Sequence, residues 1–172
     1  WQQFAELGLL AAPFSEEMGG LDGGPVETMV IMEELGRGLV VEPYLPTIVL
    51  CGGILNRHGS AAQKEGHLPG IIAGENIWAL AFNEPQGRFN LADIVTSARA
   101  EADGYVLNGS KAVVLGGPWA DKLIVSARTS GDQRDRDGVA LFIVDKSADG
   151  VSTQDYPTVD GGRASEVTLE NV

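Results

Sequence analysis

A run of polar residues directly follows an apolar strand at positions 79–90, which read ALAFNEPQGRFN. The strand ends at Asn83, whose amide both donates and accepts hydrogen bonds, and the turn after it presents the guanidinium of Arg88. Asparagine, proline and glycine commonly end a strand and reverse the chain. A strand end that carries polar groups beside an apolar surface is also a common place to hold a ligand. Positions 79–90 are therefore a candidate binding site, with a purely structural turn as the alternative.

Other residue types that carry chemistry are sparse in this chain. The two histidines, His58 and His67, have no cysteine or acid at ligand spacing, so the sequence predicts no metal site. The one cysteine, Cys51, lies on an apolar helical stretch, where a buried thiol is expected rather than a nucleophile. The glycine-rich segment 18–25, MGGLDGGP, follows no strand, so it is interpreted as a loop and not as a phosphate-binding turn.

Composition and charge exclude several classes of protein. The 172 residues carry a formal net charge of −12, which argues against nucleic-acid binding, and 44% of them are hydrophobic, enough to form a core. No apolar run approaches the roughly 20 residues of a membrane span, and the amino terminus lacks the basic region of a signal peptide. The sequence therefore predicts a soluble cytoplasmic protein without a membrane span.

The first half of the chain has helical periodicity. Pro25 suits the first turn of a helix, and the apolar residues after it recur at helical spacing until two glycines end the pattern. A further helix is expected to end near residue 58. Ser60 begins a capping box for the next helix, which Pro69 is expected to interrupt. Residues 1–75 are therefore predicted to form an N-terminal helical domain.

After residue 75 the hydrophobic period changes to that of strands. Asp103-Gly104 is a hairpin signal, and the polar segment 129–138 is interpreted as a solvated hairpin tip. No long helical pattern separates the apolar runs, so residues 76–172 are predicted to form a middle domain, an antiparallel β-barrel or sandwich, and the fold class is α+β. The predicted strands are 77–82, 93–101, 105–115, 122–128, 139–144 and 164–172.

Six segments resemble, in order and spacing, those of the acyl-CoA dehydrogenase family of flavoproteins. The most specific is HGSAAQKEGHLPGIIAGE at 58–75. AFNEPQG at 81–87 lies where the family carries a T-E-P-x-x-G-S signature, and TSARAEADGYVLNGSK at 96–111 is similar to a family segment that ends in N-G-x-K. The other three similarities are ELGLLAAPFSEEMGG at 6–20, MEELGRG at 32–38 and GGRASEVTLENV at 161–172.

This resemblance implies a helical domain, a middle β-barrel and a C-terminal helical bundle that these residues do not include, so the chain is expected to be a portion of a longer polypeptide. In the family, FAD lies between the barrel and the last bundle, with an acyl-CoA thioester against the flavin. A glutamate removes the α-proton, and a hydride passes from the β-carbon to flavin N5. That glutamate lies in the bundle, so no catalytic residue is assigned in this chain. The resemblance also implies electron-transfer flavoprotein as the electron acceptor and a homo- or hetero-oligomer.

Two separated motifs of the family converge on the flavin, and their positions in this chain carry the cofactor prediction. Asn83 stands where the family has threonine or serine, and Arg88-Phe89 replaces a small glycine-serine pair. By position, the resemblance also implies that Arg88 and Phe89 contact the substrate. An arginine supplies charge and paired donors to a phosphate, and a solvated turn is the alternative for Arg88. The predicted cofactor-binding residues are Leu80, Phe82, Asn83, Arg88, Phe89, Val113, Val114 and Leu115.

The second motif departs further from the family. Val113 and Leu115 stand where the family commonly has an aromatic residue and a hydroxyl. Apolar side chains can still cover a flavin face, but Leu115 can donate a hydrogen bond only through its backbone N–H. Flavin reactivity is therefore less firmly implied than flavin binding.

Neighbouring residues are expected to have structural roles. Glu84 is expected to make structural contacts, and Arg163 to be a buried or interface ion-pair partner. Trp78 and Trp119 are interpreted as packing residues. Because CoA is a polyanion and the chain is acidic, binding requires a local basic patch, for which the candidates are Arg88, Arg99 and Lys111.

Three functions are compatible with the sequence. The first is an FAD-dependent acyl-CoA dehydrogenase. The second is a related subunit that has lost catalysis and supports an active partner in a heteromer. The third is a flavin-free binding module on the same scaffold.

Overall fold

Helices occupy the first part of the chain in the structure, a computed structural model that describes residues 1–172. They are α1 Gln2–Glu6, a 3₁₀ turn Glu16–Met18, α2 Pro25–Arg37, a π-helix Leu45–Gly52, α3 Gly53–His58 and α4 Ala61–Ile72. Pro25 lies in the first turn of α2, and Ser60 caps α4 by accepting a hydrogen bond from the N–H of Gln63, so both predicted helix starts are confirmed. The π-helix continues directly into α3, which ends before Gly59.

Pro69 lies inside α4, so the prediction that it interrupts this helix was wrong. A proline removes one backbone donor and strains the preceding turn. Here it lies one turn from the helix end, where its own carbonyl still accepts a hydrogen bond from the N–H of Ala73 at 2.9 Å. Leu68 and Ile71 on either side are completely buried, and this packing keeps the last turn helical.

Seven strands follow the helices: β1 Trp78–Ala81, β2 Ser97–Glu101, β3 Gly104–Leu115, β4 Lys122–Arg128, β5 Val139–Asp145, β6 Val151–Pro157 and β7 Arg163–Leu169. Each predicted strand is present, although β2 begins at Ser97 rather than at residue 93. The sequence did not indicate β6, whose residues VSTQDYP lack an apolar run. It lies at the edge of the sheet and is exposed along most of its length, so its pairing depends on backbone hydrogen bonds to β7.

The strands form an open, mixed sheet rather than an antiparallel barrel. Its order is β1-β4-β2-β3-β7-β6, and β5 pairs with β4. β1 runs parallel to β4 from Trp78↔Lys122 onward, and β2 meets β4 in parallel at Ser97↔Arg128. The prediction of a wholly antiparallel sheet was wrong, because it assumed that parallel strands need a helical crossover. Here the β2–β3 hairpin separates β1 from β4 in sequence, and the chain leaves it in a direction that makes β4 parallel to β1.

β3 is the longest strand and belongs to both halves of the sheet. It pairs with β2 up to Asn108 and with β7 from Gly109 onward. Gly109 has a φ of +153°, and a Cβ at this position would lie 2.5 Å from the Thr96 Oγ1. Only glycine allows the backbone to pass this close to Thr96 where β3 changes partner.

Arg128 organises the segment 129–138, which the sequence analysis interpreted as a solvated hairpin tip. The segment is exposed, but it is folded around this one side chain. The Arg128 guanidinium donates to backbone carbonyls of the loop and of the stretch before β2, namely those of Ala92, Ile94, Ser130, Gln133, Asp135 and Asp137. The hairpin tip is therefore fixed to the segment that leads out of positions 79–90.

Two apolar cores meet at β1 and β4. The first fills the space between the helices and the sheet, and the second is formed almost entirely by the strands. Trp78 and Ile124 belong to the first core, whereas their chain neighbours Ala79 and Leu123 belong to the second. Because successive side chains of a strand point to opposite faces, these two strands connect the helical layer to the rest of the sheet.

Thr47 fixes the helical layer to β1 through a buried hydroxyl. Its Oγ1 donates to the carbonyl of Trp78 at 2.9 Å and accepts from the N–H of Trp78 at 3.2 Å. Thr47 is completely buried. The hydroxyl therefore satisfies the backbone of β1 much as a neighbouring strand would, and it sets the position of the π-helix against the strand that leads into Asn83.

Replacing Thr47 with valine tests this connection. Thr47→Val keeps the shape of the side chain but leaves two buried backbone groups of Trp78 without this partner, so we expect the free energy of unfolding to fall by about 1–3 kcal/mol. Chemical denaturation measures the change. Thr153→Val, on the exposed edge strand β6, is the matched control; equal effects of the two substitutions would show that the Thr47 hydroxyl does not carry the connection.

Candidate functional site

Five of the predicted cofactor-binding residues lie together around one small cavity of about 80 Å³. Two of them come from the second of the two sequence motifs, which is about thirty positions from the first along the chain. The π-helix completes the wall, so both motifs and the helical layer meet here. The lining residues are Pro46, Leu50, Leu80, Phe82, Asn83, Val113 and Leu115.

The cavity presents an apolar surface with one free side-chain amide. Leu80 and Phe82 are half-buried, and Val113 and Leu115 expose 47% and 42% of their surface, more than is usual for apolar strand residues. The backbone carbonyl of Asn83 accepts from the N–H of Ala112 at 2.9 Å, while its side-chain amide forms no hydrogen bond within the chain. A flat apolar ligand with a polar edge matches this surface.

The other three predicted residues are not part of this cavity. Val114 exposes only 1% of its surface in the core formed by the strands, so its side chain is not available to a ligand. Arg88 and Phe89 lie on the turn after Asn83, and both are exposed, with no ring atom of Phe89 covered. Arg88 has a left-handed φ of +49° and no ion-pair partner, so its guanidinium is free to meet an anion.

Glu84 makes the structural contacts that the sequence analysis expected. Its carboxylate lies 2.6 Å from the Nζ of Lys111, and neither side chain is exposed to solvent. It also accepts hydrogen bonds from the backbone N–H groups of Val95 at 2.8 Å and Thr96 at 3.1 Å. Burial alone would raise the pKa of Glu84, but the bonds from Lys111, Thr96 and Val95 outweigh burial and lower that pKa, so the carboxylate is ionised.

This pair corrects the prediction of a basic patch. Lys111 is completely buried and bound to Glu84 and to the Oγ of Ser126, so it is not available to a polyanion. Arg99 is exposed but pairs with Glu101 at 2.6 Å. Arg88 is therefore the one unpaired cation of the predicted three. The prediction for Lys111 was wrong because the spacing along β3 does not show that Glu84 lies against the buried face of this strand.

A β-bulge in β3 shapes the second wall of the cavity. The register changes from Lys111↔Val167 to Val114↔Ser165, so two residues of β3 lie opposite one residue of β7. Val113, at the bulge, has a left-handed φ of +53°. A β-branched residue is strained by about 1–3 kcal/mol in this conformation, and such strain is typically retained at functional sites.

The bulge also determines the direction of one backbone donor. Gly116 N–H donates to the carbonyl of Arg163 on β7 at 3.0 Å, so the two residues are a hydrogen-bonded pair of an antiparallel ladder. Hydrogen bonds alternate along such a ladder, and the N–H of Leu115 therefore points away from β7, toward the edge of β3 that lines the cavity. The cavity thus has two candidate donors, this N–H and the amide of Asn83.

A larger cavity of about 350 Å³ adjoins the smaller one, and the two share Pro46 and Leu115. It lies between the end of α2, the segment 39–46 and the loop before β7. This cavity was not predicted from the sequence, although the apolar run Leu39–Val41, which is exposed in the structure, was a usable signal. The walls of this cavity are mostly apolar, with Glu42 and Asp160 as the carboxylates.

Two predictions about single residues change in the light of this larger cavity. Arg163 lines it and is exposed, with no carboxylate at ion-pair distance in the chain, so it is not a buried ion-pair partner, and its role at an interface stays a prediction. Trp119 lines it as well and is 38% exposed, so it does not serve only as a packing residue. Trp78, by contrast, exposes only 1% of its surface and packs in the core between helices and sheet, as expected.

FAD fits the smaller cavity in the chemistry of its ring. The isoalloxazine is flat and largely apolar and carries hydrogen-bonding atoms along one edge. Leu80, Phe82 and Val113 would supply the apolar surface, and the Asn83 amide and the Leu115 N–H would supply donors to the edge. The side-chain hydroxyl that the family commonly has at position 115 is absent here, so Leu115 can donate only through its backbone N–H.

Comparison with known protein families gives matches over nearly the whole chain. A model described as "Acyl-CoA dehydrogenase, N-terminal domain" matches residues 1–75, and one described as "Acyl-CoA dehydrogenase, middle domain" matches residues 79–172. The chain belongs to the acyl-CoA dehydrogenase family. The resemblance inferred from the six sequence segments is thereby confirmed.

Individual relatives show how far the similarity extends. Mitochondrial isovaleryl-CoA dehydrogenase of Arabidopsis thaliana is 35% identical over 99% of this chain, which covers 43% of that protein. The solved FAD complex of PigA superimposes with a TM-score of 0.90 at 26% identity, over 100% of this chain and 46% of PigA. The ChsE4-ChsE5 complex of Mycobacterium tuberculosis gives 0.87 at 28% identity, over 100% and 44% of the two chains. The chain thus spans less than half the length of the family members it matches.

Three further observations concern other classes of site. None of the helices is long and apolar enough to cross a membrane. No group of three or more His, Cys, Asp or Glu side chains is arranged to hold a metal ion. Burial in the helical core raises the pKa of the Cys51 thiol, which matches the expected buried thiol rather than a nucleophile.

The buried pair gives a prediction that separates pairing from packing. Glu84→Leu leaves the Lys111 ammonium buried without its carboxylate, and we expect the free energy of unfolding to fall by about 3–5 kcal/mol. The double variant Glu84→Leu/Lys111→Met should recover part of this loss, because no unpaired charge remains.

Urea denaturation of both variants measures the difference. Glu101→Leu, which breaks the exposed pair with Arg99, is the control and should cost no more than about 1 kcal/mol. A double variant that is less stable than Glu84→Leu alone would contradict this account of the pair.

Proposed function

We propose that the protein is an FAD-dependent acyl-CoA dehydrogenase, which removes the α-proton of an acyl-CoA thioester and passes a hydride from the β-carbon to flavin N5. The observation that supports this proposal most directly is the apolar cavity in which Asn83 and the Leu115 N–H meet. These residues come from two motifs that are far apart in sequence, and nothing in the turn chemistry of 79–90 requires them to converge.

The residues of this chain would hold the ring by covering it and by bonding to its edge. Leu80, Phe82 and Val113 would exclude water from one face, and the Asn83 amide would bond to the edge of the ring. The N–H of Leu115 would meet the same edge, whereas the backbone polar groups of Val114 face Ser165 on β7 by the same alternation. FAD, when bound, supplies the acceptor for the hydride.

The acyl group has a place beside this ring site. The larger cavity meets the smaller one at Pro46 and Leu115, so an acyl chain in it would lie next to the proposed ring position. Exposed apolar side chains of Leu39, Val40 and Trp119 would be covered by such a chain. Arg88 would reach a phosphate of CoA or FAD, and Phe89 beside it would contact the pantetheine arm.

No residue of this chain is proposed as the catalytic base. Neither a carboxylate nor a histidine lines the smaller cavity, and Glu84, the nearest acid in sequence, is held by Lys111 in a buried pair. The same family kinship supports electron-transfer flavoprotein as the acceptor of the electrons and an assembly of several subunits.

A subunit without catalysis in a heteromer is the second candidate. Leu115 in place of a hydroxyl favours it, because position 115 then offers the ring edge no side-chain donor. The similarity to the ChsE4-ChsE5 complex, an assembly of two named proteins, is in keeping with a heteromeric assembly. The third candidate, a flavin-free module, is disfavoured by the exposed apolar surface that a flavin would cover.

An absorbance spectrum of the complete protein separates these candidates. We expect a bound flavin, and we expect the flavin absorbance to bleach when an acyl-CoA thioester is added without oxygen. Bound flavin that no acyl-CoA bleaches would favour the subunit without catalysis. If the protein is purified without flavin and also takes up no added FAD, the result would favour the flavin-free binding module.

The role of Asn83 is tested by replacing it. Asn83→Leu in the complete protein removes one hydrogen-bond partner of the ring edge at nearly constant size, so we expect FAD to bind roughly 5- to 150-fold more weakly. Titration of the apoprotein with FAD measures the change. Asn56→Leu on α3 is the matched control. Equal FAD affinities in the two variants would show that Asn83 does not bind the ring and only ends the strand.

The same titration addresses the proposed phosphate contact of Arg88. Arg88→Ala should weaken FAD or acyl-CoA binding, whereas Arg99→Ala, an arginine already paired with Glu101, should not. Unchanged affinity of Arg88→Ala for both ligands would exclude the phosphate role.

A further inference from the structure

The extra residue at the Val113 bulge decides which amide of β3 faces the smaller cavity. Ala112 N–H donates to Asn83 on the β1 side of the strand, and N–H groups of a regular strand alternate between its two edges. Without the bulge, that alternation would turn the N–H of Leu115 toward β7. With it, Gly116 bonds to β7 and the N–H of Leu115 turns to the cavity. The proposed ring donor therefore exists only while the bulge is in place.

The bulge is not stable by its own conformational preference. Valine is β-branched and strongly disfavours the left-handed region in which Val113 lies, at a φ of +53°. Such a conformation persists only where its surroundings hold it. The side chain of Val113 is exposed and contributes little to holding this conformation, so the bulge must be held through its backbone.

Glu166 and Tyr156 supply it. The N–H of Val113 donates to Oε1 of Glu166 at 3.3 Å, and the phenol of Tyr156 donates to the same oxygen at 2.7 Å. Glu166 is the single β7 residue opposite the bulge, and Tyr156 lies on β6 opposite Ala164, diagonally across from Glu166. Burial and the bond to Glu166 raise the pKa of Tyr156, so the phenol stays protonated and keeps donating at neutral pH.

We propose that Glu166 and Tyr156 are positioning residues for the cofactor: they hold the bulge at Val113 and thereby keep the N–H of Leu115 aimed at the ring edge of FAD. Neither lines the cavity, and both act through the backbone of β3. The inference rests on the function proposed above, and it assigns a role to β6, the strand that the sequence did not indicate.

Three substitutions in the complete protein test the proposal. Glu166→Leu removes the acceptor of the Val113 N–H, Tyr156→Phe removes only the phenol oxygen, and Glu166→Gln keeps an oxygen that can accept both bonds. Glu170→Leu is the control, because it removes the same charge from an exposed position just after β7. The readouts are the dissociation constant of FAD, the absorption spectrum of the bound flavin and the thermal midpoint of the apoprotein.

We expect Glu166→Leu to weaken FAD binding by about tenfold and to shift the flavin absorption bands, with a smaller change of the same sign in Tyr156→Phe. Glu166→Gln should restore both readouts to near the wild-type values. The thermal midpoints of the apoproteins should match that of Glu170→Leu, since a merely structural role would move the midpoint and not the spectrum.

Other outcomes would overturn either this inference or the proposed function. A flavin-loaded wild type whose Glu166→Leu and Tyr156→Phe variants have unchanged affinity and spectrum overturns this inference and leaves the proposed function in place. A wild type that binds no FAD overturns the proposed function and the inference with it. Should Glu166→Leu fail to fold, Tyr156→Phe decides between the same outcomes.

Discussion

A lysine ammonium and a glutamate carboxylate lie 2.6 Å apart where neither touches solvent, and the candidate site is arranged around them. Glu84 follows β1, Lys111 lies on β3, and the remaining bonds of the pair reach the start of β2 and Ser126 on β4. Two desolvated charges are costly unless every polar atom finds a partner, and here backbone N–H groups complete the carboxylate. The pair therefore fixes four strands relative to one another, with Asn83 and Ala112 held as its immediate neighbours.

Support for the cavity comes from two opposite sides of the sheet. On one side the hydroxyl of Thr47 binds the backbone of β1 and places Pro46 and Leu50 against Leu80. On the other side Glu166 holds the bulge that presents Val113 and Leu115. Polar atoms that lie outside the cavity thus determine its shape, while the surface that a ligand would touch is almost wholly apolar. This division leaves the lining residues free to vary without loss of the frame.

The sequence predicted more of the site than of the frame that supports it. The convergence of Asn83 with Val113 and Leu115 was predicted from motif resemblance, because two matched segments carry their spatial relation with them. The burial of Lys111, the bulge at Val113 and the parallel pairing of β1 were not predictable, since each depends on a partner distant in sequence. Local patterns failed in the same way for Pro69 and for β6, where tertiary packing and backbone pairing outweighed propensity.

The assignment of Trp78 and Ile124 to one core, and of Ala79 and Leu123 to the other, bears on how the chain unfolds. A boundary near residue 75 separates the helices from the strands along the sequence, but β1 and β4 contribute side chains to both cores. Detaching the helical layer would strip Trp78 of its packing and loosen the strand that carries Ala79. The two parts are therefore expected to melt in a single calorimetric transition, with the van't Hoff enthalpy equal to the measured one, as one cooperative unit rather than two.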